Sequence, residues 1–191
     1  LDAGSPPDPE LLLQAARVAR YAHDFTEVAR LATLLWEHQR WVEAAVLLGE
    51  ARYELGHFAE AEAVLAAPVP AGAAPDLLAQ RATLRTKNLQ WGLCDPDAAL
   101  TVVQEAQAAL GPDFADELLA EEGSVRLFAG HPQDALDVMA GAGGAGAGGA
   151  TARTRVMLAM SRVPALASVG RTAEAITMAE AAFREHLELS D

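Results

Sequence analysis

The stretch LLGEARYELGHFAEAEAVL, residues 47–65, contains the signature that decides how this chain folds. Apolar residues recur at helical spacing on both sides of Gly56, and Gly readily takes the left-handed conformation in which helices often end. The small residue Ala61 lets the following helix lie close to the preceding one. The stretch therefore predicts two antiparallel helices joined by a tight turn.

The same signature recurs along the chain. It is present in HDFTEVARLATLL from His23, CDPDAALTVV from Cys94, GHPQDALDVM from Gly130 and GRTAEAITMA from Gly170. The small apolar position is separated from its next occurrence by 33, 37, 37 and 40 residues, and is occupied by Val28, Ala61, Ala98, Ala135 and Ala175. Such a period is typical of stacked helix pairs, and five pairs fit the chain.

The composition agrees with a helical protein. The 191 residues include 43 alanines but a single isoleucine, and only 5% are aromatic. Alanine is the best helix former, whereas the β-branched and aromatic residues that favour strands are scarce. An all-β protein is excluded, and we predict an all-α superhelix of about five antiparallel helix pairs. Their first helices are predicted at 9–22, 41–55, 76–91, 114–129 and 151–168, and their second helices at 26–38, 59–67, 96–110, 132–140 and 172–188.

The charge and the absence of targeting signals limit the partners. The net charge of −13 repels phosphate backbones, so we expect no direct nucleic-acid contact by this chain. It contains no apolar run long enough for a membrane span, no signal-peptide features and one cysteine, Cys94, which allows no internal disulfide. We therefore expect a cytoplasmic protein that does not contact membranes.

The segment GAGGAGAGGA, residues 141–150, has the most biased composition in the chain and contains six of the fifteen glycines. Its composition predicts a flexible loop between the fourth and fifth helix pairs. The fifth pair is too small to fold alone, so residues 1–191 are predicted to form a single helical-repeat domain.

The stretch 47–65 resembles a tetratricopeptide repeat. The resemblance is carried by Leu48 and Gly49 in the first helix and by Gly56, Phe58 and Ala61 at the turn. It implies an array whose first helices line a concave groove that binds peptides or small ligands.

Three stretches together carry a narrower resemblance. Residues 47–65, 85–106 and 162–189 are similar, in that order, to the helical middle region of LuxR-type large ATP-binding transcriptional regulators, the group that includes the maltose-regulon activator. The resemblance implies an N-terminal ATPase that uses ATP and a C-terminal helix-turn-helix domain that binds DNA. The chain contains no GxxxxGK[ST] loop, ends in acidic residues and lacks an initiator Met, so we expect an internal segment of such a regulator.

The family implies a sensor or scaffold segment that binds an inducer or a partner protein on its concave face. Two alternatives stay open on the sequence: a free-standing tetratricopeptide adaptor that mediates protein–protein interaction, and a helical accessory domain of an enzyme. No nucleophile–base pair, cofactor loop or metal-ligand cluster is present in the sequence. We therefore predict that this segment is not an enzyme and holds no cofactor or metal; any ATPase activity would belong to the absent N-terminal domain.

Several polar donors could anchor a ligand in the expected groove. They share single faces of the third and fifth first helices and are Arg81, Arg85, Asn88, Arg155 and Arg162. Grouped donors of this kind suit a carboxylate, phosphate or sugar hydroxyl. The alternative is structural: the arginines pair with Glu117 and Glu121 of the intervening helix and hold the repeats together.

Other chemically notable residues have plain structural interpretations. The histidines His23, His57 and His131 fall at equivalent turns and are expected to be solvated, since no metal-binding spacing is present. The acidic residues from Asp113 to Glu122 are expected to form a solvated face. Trp36, Trp41 and Trp91 are expected in the core.

Overall fold

A computed structural model describes residues 8–142 and 152–188, except for the side chain of Arg153. These residues form ten α-helices joined by turns, and they contain no strand. The all-α prediction is confirmed. The helices are α1 (Pro9–Tyr21), α2 (Phe25–Gln39), α3 (Val42–Glu54), α4 (Phe58–Leu65), α5 (Pro75–Lys87), α6 (Pro96–Leu110), α7 (Ala115–Phe128), α8 (Pro132–Met139), α9 (Ala152–Ser168) and α10 (Thr172–Glu188).

The chain divides into two compact units, Leu1–Asp95 and Pro96–Asp191. In the first unit, α2 packs on α1 and α3, α4 packs on α3, and α5 packs on both α3 and α4. In the second unit, α7 packs on α6 and α8, α9 packs on α7 and α8, and α10 packs on α9. A single domain over 1–191 stays a prediction, and residues 143–150 of the predicted flexible loop lie outside the described part of the chain.

Four helix pairs share one turn geometry. At the end of α3, the His57 backbone N–H donates to the Arg52 carbonyl at 2.8 Å and the Gly56 N–H donates to Tyr53 at 2.9 Å. This pattern is the Schellman motif, which requires a left-handed residue at its end. That residue is Gly56, with φ of 78°; the matching turns contain Gly130, Gly170 and His23. The prediction that this signature joins antiparallel helices is confirmed.

Close approach of paired helices explains why two helical positions are glycine. A Cβ atom on Gly49 of α3 would lie 2.6 Å from Cγ of Leu65 in α4. A Cβ on Gly123 of α7 would lie 2.5 Å from Sδ of Met139 in α8. The small positions predicted in the second helices are buried as well: Val28, Ala61, Ala135 and Ala175.

The third pair departs from the predicted register because α5 continues into a π turn, Asn88–Gly92. The Leu93 N–H donates to the Asn88 carbonyl at 2.9 Å, five residues back, so the turn holds one more residue than an α-helical turn. The buried small residue of α6 is Ala99, and the prediction of Ala98 was wrong by one position. The prediction that Trp91 is a core residue was also wrong. The π turn changes the angular position of the residues after Asn88, and Trp91 is 48% exposed.

Candidate functional site

Three of the five predicted ligand donors lie against the preceding second helix, α4. Arg85 of α5 donates from Nε to Oε1 of Glu62 at 2.8 Å. Asn88, at the start of the π turn, is fully buried and donates from Nδ2 to the Phe58 carbonyl at 3.0 Å. Arg81 donates from Nη2 to the carbonyl of Ala67, just beyond the end of α4, at 2.7 Å. The stripe therefore joins α5 to α4.

Arg162 of α9 forms a similar contact in the second unit. Its Nη2 donates to the carbonyls of Met139 and Ala142, the latter at 2.9 Å, where α8 ends. Burial lowers the pKa of the Arg81 guanidinium and that of the Arg162 guanidinium below the ordinary value for arginine. For Arg162, attraction to the negative charge of Asp116 partly offsets this lowering. The last carbonyls of a helix lack partners within it, so the bond from Arg162 to Met139, the last residue of α8, caps that helix. Ala67 and Ala142 lie two and three residues beyond the ends of α4 and α8, so these bonds hold the connections that follow the two helices.

The fifth predicted donor, Arg155 of α9, donates from Nε to Oε1 of Glu185 in α10 at 2.9 Å. The structural alternative named Glu117 and Glu121 as partners of the arginines and stays untested; Arg85 and Arg155 form ion pairs with Glu62 and Glu185. Each predicted donor thus has a contact between helices. Their role as ligand anchors stays a prediction.

Four buried polar atoms belong to residues of α4, of α5 and of the π turn that follows α5. Each lies within the described part of the chain and has no hydrogen-bond partner there: Oε2 of Glu62, Nε of Arg81, Oγ1 of Thr86 and Oδ1 of Asn88. Burying a polar atom without a partner costs free energy, so each of these atoms lowers the stability of the first unit.

An open, mainly apolar groove lies over α9, between α8 and α10, and has a volume of about 740 Å³. We call it the α10 groove. Its apolar and small lining residues are Leu136, Ala140, Leu166, Ala173, Thr177, Met178 and Ala181, and its charged ones are Arg162, Arg171 and Glu174. A second hollow of about 190 Å³ between α9 and α10 shares Arg162, Met178 and Ala181 with it. The two hollows therefore follow α10 along one side.

The first unit has a hollow of its own, which we call the α1 groove, of about 420 Å³. It lies where three first helices, α1, α3 and α5, meet the connection between α4 and α5. Its lining includes Leu13, Trp41, Val42, Leu77 and the 70–73 segment. Arg17 and Glu43 also line it and form an ion pair with a distance of 2.5 Å between Nη2 and Oε1.

Glu122 corrects the expectation that the acidic residues of α7 form a solvated face. Its side chain is buried and accepts hydrogen bonds from Arg126 at 2.6 Å and from Gln107 at 3.0 Å. Burial opposes ionisation, but these bonds and one from Gln104 outweigh it and hold the pKa of Glu122 below its ordinary value. The buried charge is therefore compensated, as a buried carboxylate must be.

The exposed histidines His23, His57 and His131 lie at the turns, as expected. Among the described residues, no three histidine, cysteine, aspartate or glutamate side chains group as metal ligands would. In that same part of the chain, no helix combines the length and apolarity that a membrane span needs.

The α10 groove was not predicted from the sequence, in which grouped polar donors were the more conspicuous feature. The available signal was the face of α10 on which Glu174, Met178, Ala181 and Glu185 follow at spacings of four, three and four residues. That face is apolar in its centre and charged at both ends. Nothing in the sequence indicated that α8 would form the opposite wall.

Comparison with known proteins supports the fold. The structure is similar to a solved structure of a MamA mutant, a tetratricopeptide-like helical protein, with a TM-score of 0.52. The similarity covers 95% of this chain and 96% of the other, at 14% sequence identity. No protein-family model matches the chain, and no curated protein matches it. At this identity the likeness shows the fold alone: a tetratricopeptide-like arrangement of helices.

Proposed function

We propose that this protein is a helical scaffold that binds partner proteins through its open grooves. The α10 groove is the observation that carries the proposal. It lies within the range of about 300–1,000 Å³ that ligand-binding sites occupy, and its walls are apolar with a few charged groups. A groove between two helices is a common place for a partner segment to dock.

The arrangement of the polar groups also supports a scaffold. Two of the arginines that a small anionic ligand would need are engaged in ion pairs that hold one helix to the next, Arg85 with Glu62 and Arg155 with Glu185. The apolar groove walls, by contrast, face solvent. Burial of such apolar area is the main favourable contribution to protein association.

Site-specific photo-crosslinking in the source cells tests this proposal. A photoreactive amino acid replaces Thr177 in the α10 groove or Ala71 in the α1 groove, and a matched variant carries it at the exposed Thr101 of α6. We expect a discrete crosslinked protein from at least one groove position and none from residue 101. The purified partner should then bind the full chain, and Met178→Glu or Leu77→Glu should weaken that binding at least about tenfold.

The contradicting outcome is equally specific. If the groove positions crosslink no more than residue 101, or if the groove variants bind the captured partner as tightly as the original chain, the scaffold proposal is wrong. Circular dichroism of each variant establishes that lost binding is not lost folding.

At a finer level, we propose that the scaffold is the sensor segment of a LuxR-type transcriptional regulator, where an inducer or partner protein shifts the regulator between two states. This proposal is supported by the resemblance of residues 47–65, 85–106 and 162–189, and the comparisons with known proteins add nothing to it. Such a switch requires that the ligand bind the two states with different affinity. A free-standing adaptor is the alternative.

The size of the native polypeptide separates these two possibilities. An antibody raised against this segment should detect, in source cells, a band several times larger than 20.0 kDa if the regulator proposal holds. A band near 20.0 kDa would exclude the regulator and leave the adaptor.

A further inference from the structure

We infer that the α10 groove binds an acidic amphipathic helix of a partner protein, with one of its carboxylates placed on Arg162. The inference rests on the proposed scaffold function and adds the chemical class of the partner segment. It differs from the concave-face binding that the tetratricopeptide resemblance implies, because the groove lies between two second helices, α8 and α10, with first helix α9 as its floor.

The charge of the groove differs from that of the chain. Three arginines and two glutamates line the α10 groove and the hollow that continues it, which gives +1, whereas the whole chain carries −13. The charged pairs lie toward the two ends. Arg171 pairs with Glu174 at 2.6 Å, and Arg155 pairs with Glu185 at 2.9 Å.

Arg162 supplies the remaining charge from the middle of the site. It lines both hollows; the charge of Asp116 attracts it, but in the described ranges 8–142 and 152–188 no carboxylate lies within ion-pair distance of it. Only Nη2 is used to cap α8, and a guanidinium carries five N–H donors. A carboxylate that enters the groove therefore meets a half-buried cation whose remaining donors are available to it.

The shape of the groove favours a helix as the occupant. The lining residues run from Arg171, which immediately precedes α10, to Glu185 of α10; at 1.5 Å per residue this is about 21 Å, or nearly four helical turns. Helix α8 and helix α10 form the two walls, and Met178, Leu136 and Leu166 provide apolar contacts. A helix can lie between two others when its side chains fill the space between their ridges.

Peptide display against the full chain tests the inference even while the natural partner is unidentified. The probe is a library of helix-favouring peptides of about 14 residues with randomised surface positions, matched to the groove length. We expect selected peptides to combine apolar residues at i, i+3, i+4 and i+7 with at least one Asp or Glu beside that face. Raising the salt concentration from about 0.1 M to about 1 M should weaken their binding several-fold, because screening shortens the reach of the charge.

Two substitutions at one position isolate the charge. Thr177 is exposed, lines the groove and takes no part in capping α8, so Thr177→Glu and Thr177→Lys should both fold. We expect Thr177→Glu to weaken the selected peptides about tenfold and Thr177→Lys to bind them as tightly as the original chain or more tightly. Ile176→Glu is the control, since Ile176 is about 200° around α10 from Met178 and should leave binding unchanged.

The outcomes separate the inference from the function on which it rests. Selected peptides that bind in the groove at Thr177 but are neutral or basic would contradict the acidic class of partner. They would leave the scaffold proposal standing. Peptides that bind Thr177→Glu as well as the original chain, or a selection that yields none, would overturn the inference, and the crosslinking experiment would then decide the scaffold function separately.

Discussion

Arg81 and Arg162, in different units of the chain, perform the same structural task. Each extends from a first helix and donates Nη2 to a carbonyl just beyond the end of the preceding second helix: Ala67 at 2.7 Å and Ala142 at 2.9 Å. Arg162 also donates to the carbonyl of Met139, the last residue of α8. The carboxyl end of a helix carries partial negative charge as well as unpaired carbonyls, so a cation there stabilises twice. These two helix ends are thus closed by the next pair of helices.

Removing either arginine should destabilise the unit that contains it. We expect Arg162→Gln and Arg81→Gln to lower the free energy of unfolding by about 1–3 kcal/mol, the range for hydrogen bonds to charged groups. Arg162→Lys should lower the free energy of unfolding by less than Arg162→Gln, because lysine keeps the positive charge near the end of α8. It should still lower it, because lysine lacks the planar donors of the guanidinium. Urea unfolding followed by circular dichroism measures the effect. Unchanged midpoints for both glutamine variants would show that the caps contribute nothing.

The two helical glycines should respond differently to alanine. A Cβ on Gly49 meets Leu65 at its branch carbon, so Gly49→Ala should destabilise by about 1–3 kcal/mol through overpacking. Gly123→Ala meets the flexible thioether of Met139, which can move, and should cost less. Gly141→Ala is the control, since nothing lies within 4 Å of its added Cβ. Equal losses at Gly49 and Gly141 in thermal unfolding would contradict close packing.

The left-handed turn position can be tested in both directions. Gly56→Ala places a Cβ at φ of 78° in open space, so its cost, about 1–2 kcal/mol, is conformational strain. His23 has φ of 57° at the matching turn, and His23→Gly should remove strain and stabilise by up to about 1 kcal/mol. The two changes should shift the melting temperature in opposite directions. Shifts of the same sign would show that contacts such as the His23–Phe25 ring pair outweigh the backbone.

Glu122 should make stability depend on acidity. Its pKa in the folded chain lies below the ordinary value of 4.5, so its ionised form stabilises the fold above that pH. This contribution is lost as the pH falls below about 4.5 and through the folded pKa, because the unfolded chain then binds the proton more readily. Glu122→Gln should destabilise by about 1–3 kcal/mol at pH 7 and flatten this acid dependence. Glu105→Gln, at an exposed position of α6, is the control and should change neither the stability nor its dependence on pH. If stability falls with acid equally in both variants, the Glu122 network is not the cause of that fall.

Thr86 offers a stabilising substitution. Its hydroxyl is fully buried, and in the described part of the chain it has no hydrogen-bond partner. Thr86→Val replaces the hydroxyl with a methyl group of similar size and should stabilise by about 1 kcal/mol. Thr101→Val on the surface of α6 is the control and should give no gain. A loss at Thr86 in urea unfolding would mean that the hydroxyl is satisfied in solution.

Local sequence patterns were sufficient to predict the helices. The turn signature, the apolar spacing and the small residues act over one or two helical turns, and so the pair 42–54 and 58–65 could be read from its own residues. The π turn after α5 was not predicted, because hydrogen bonds between residues five apart, such as that from Leu93 to Asn88, compete closely with ordinary α-helical ones.

Side-chain partners, by contrast, depended on residues distant in the chain. Arg85 meets Glu62 across 23 positions, and Arg162 meets Ala142 across 20. Helical spacing correctly placed Arg81, Arg85 and Asn88 on one face, but only the packing of α5 on α4 selected what that face contacts. The packing of α7 against α6 likewise buried Glu122, and the packing around α9 placed α8 opposite α10. A helix face is a property of local sequence, whereas the surface that covers it, or leaves it open as a groove, follows from how separate helices pack.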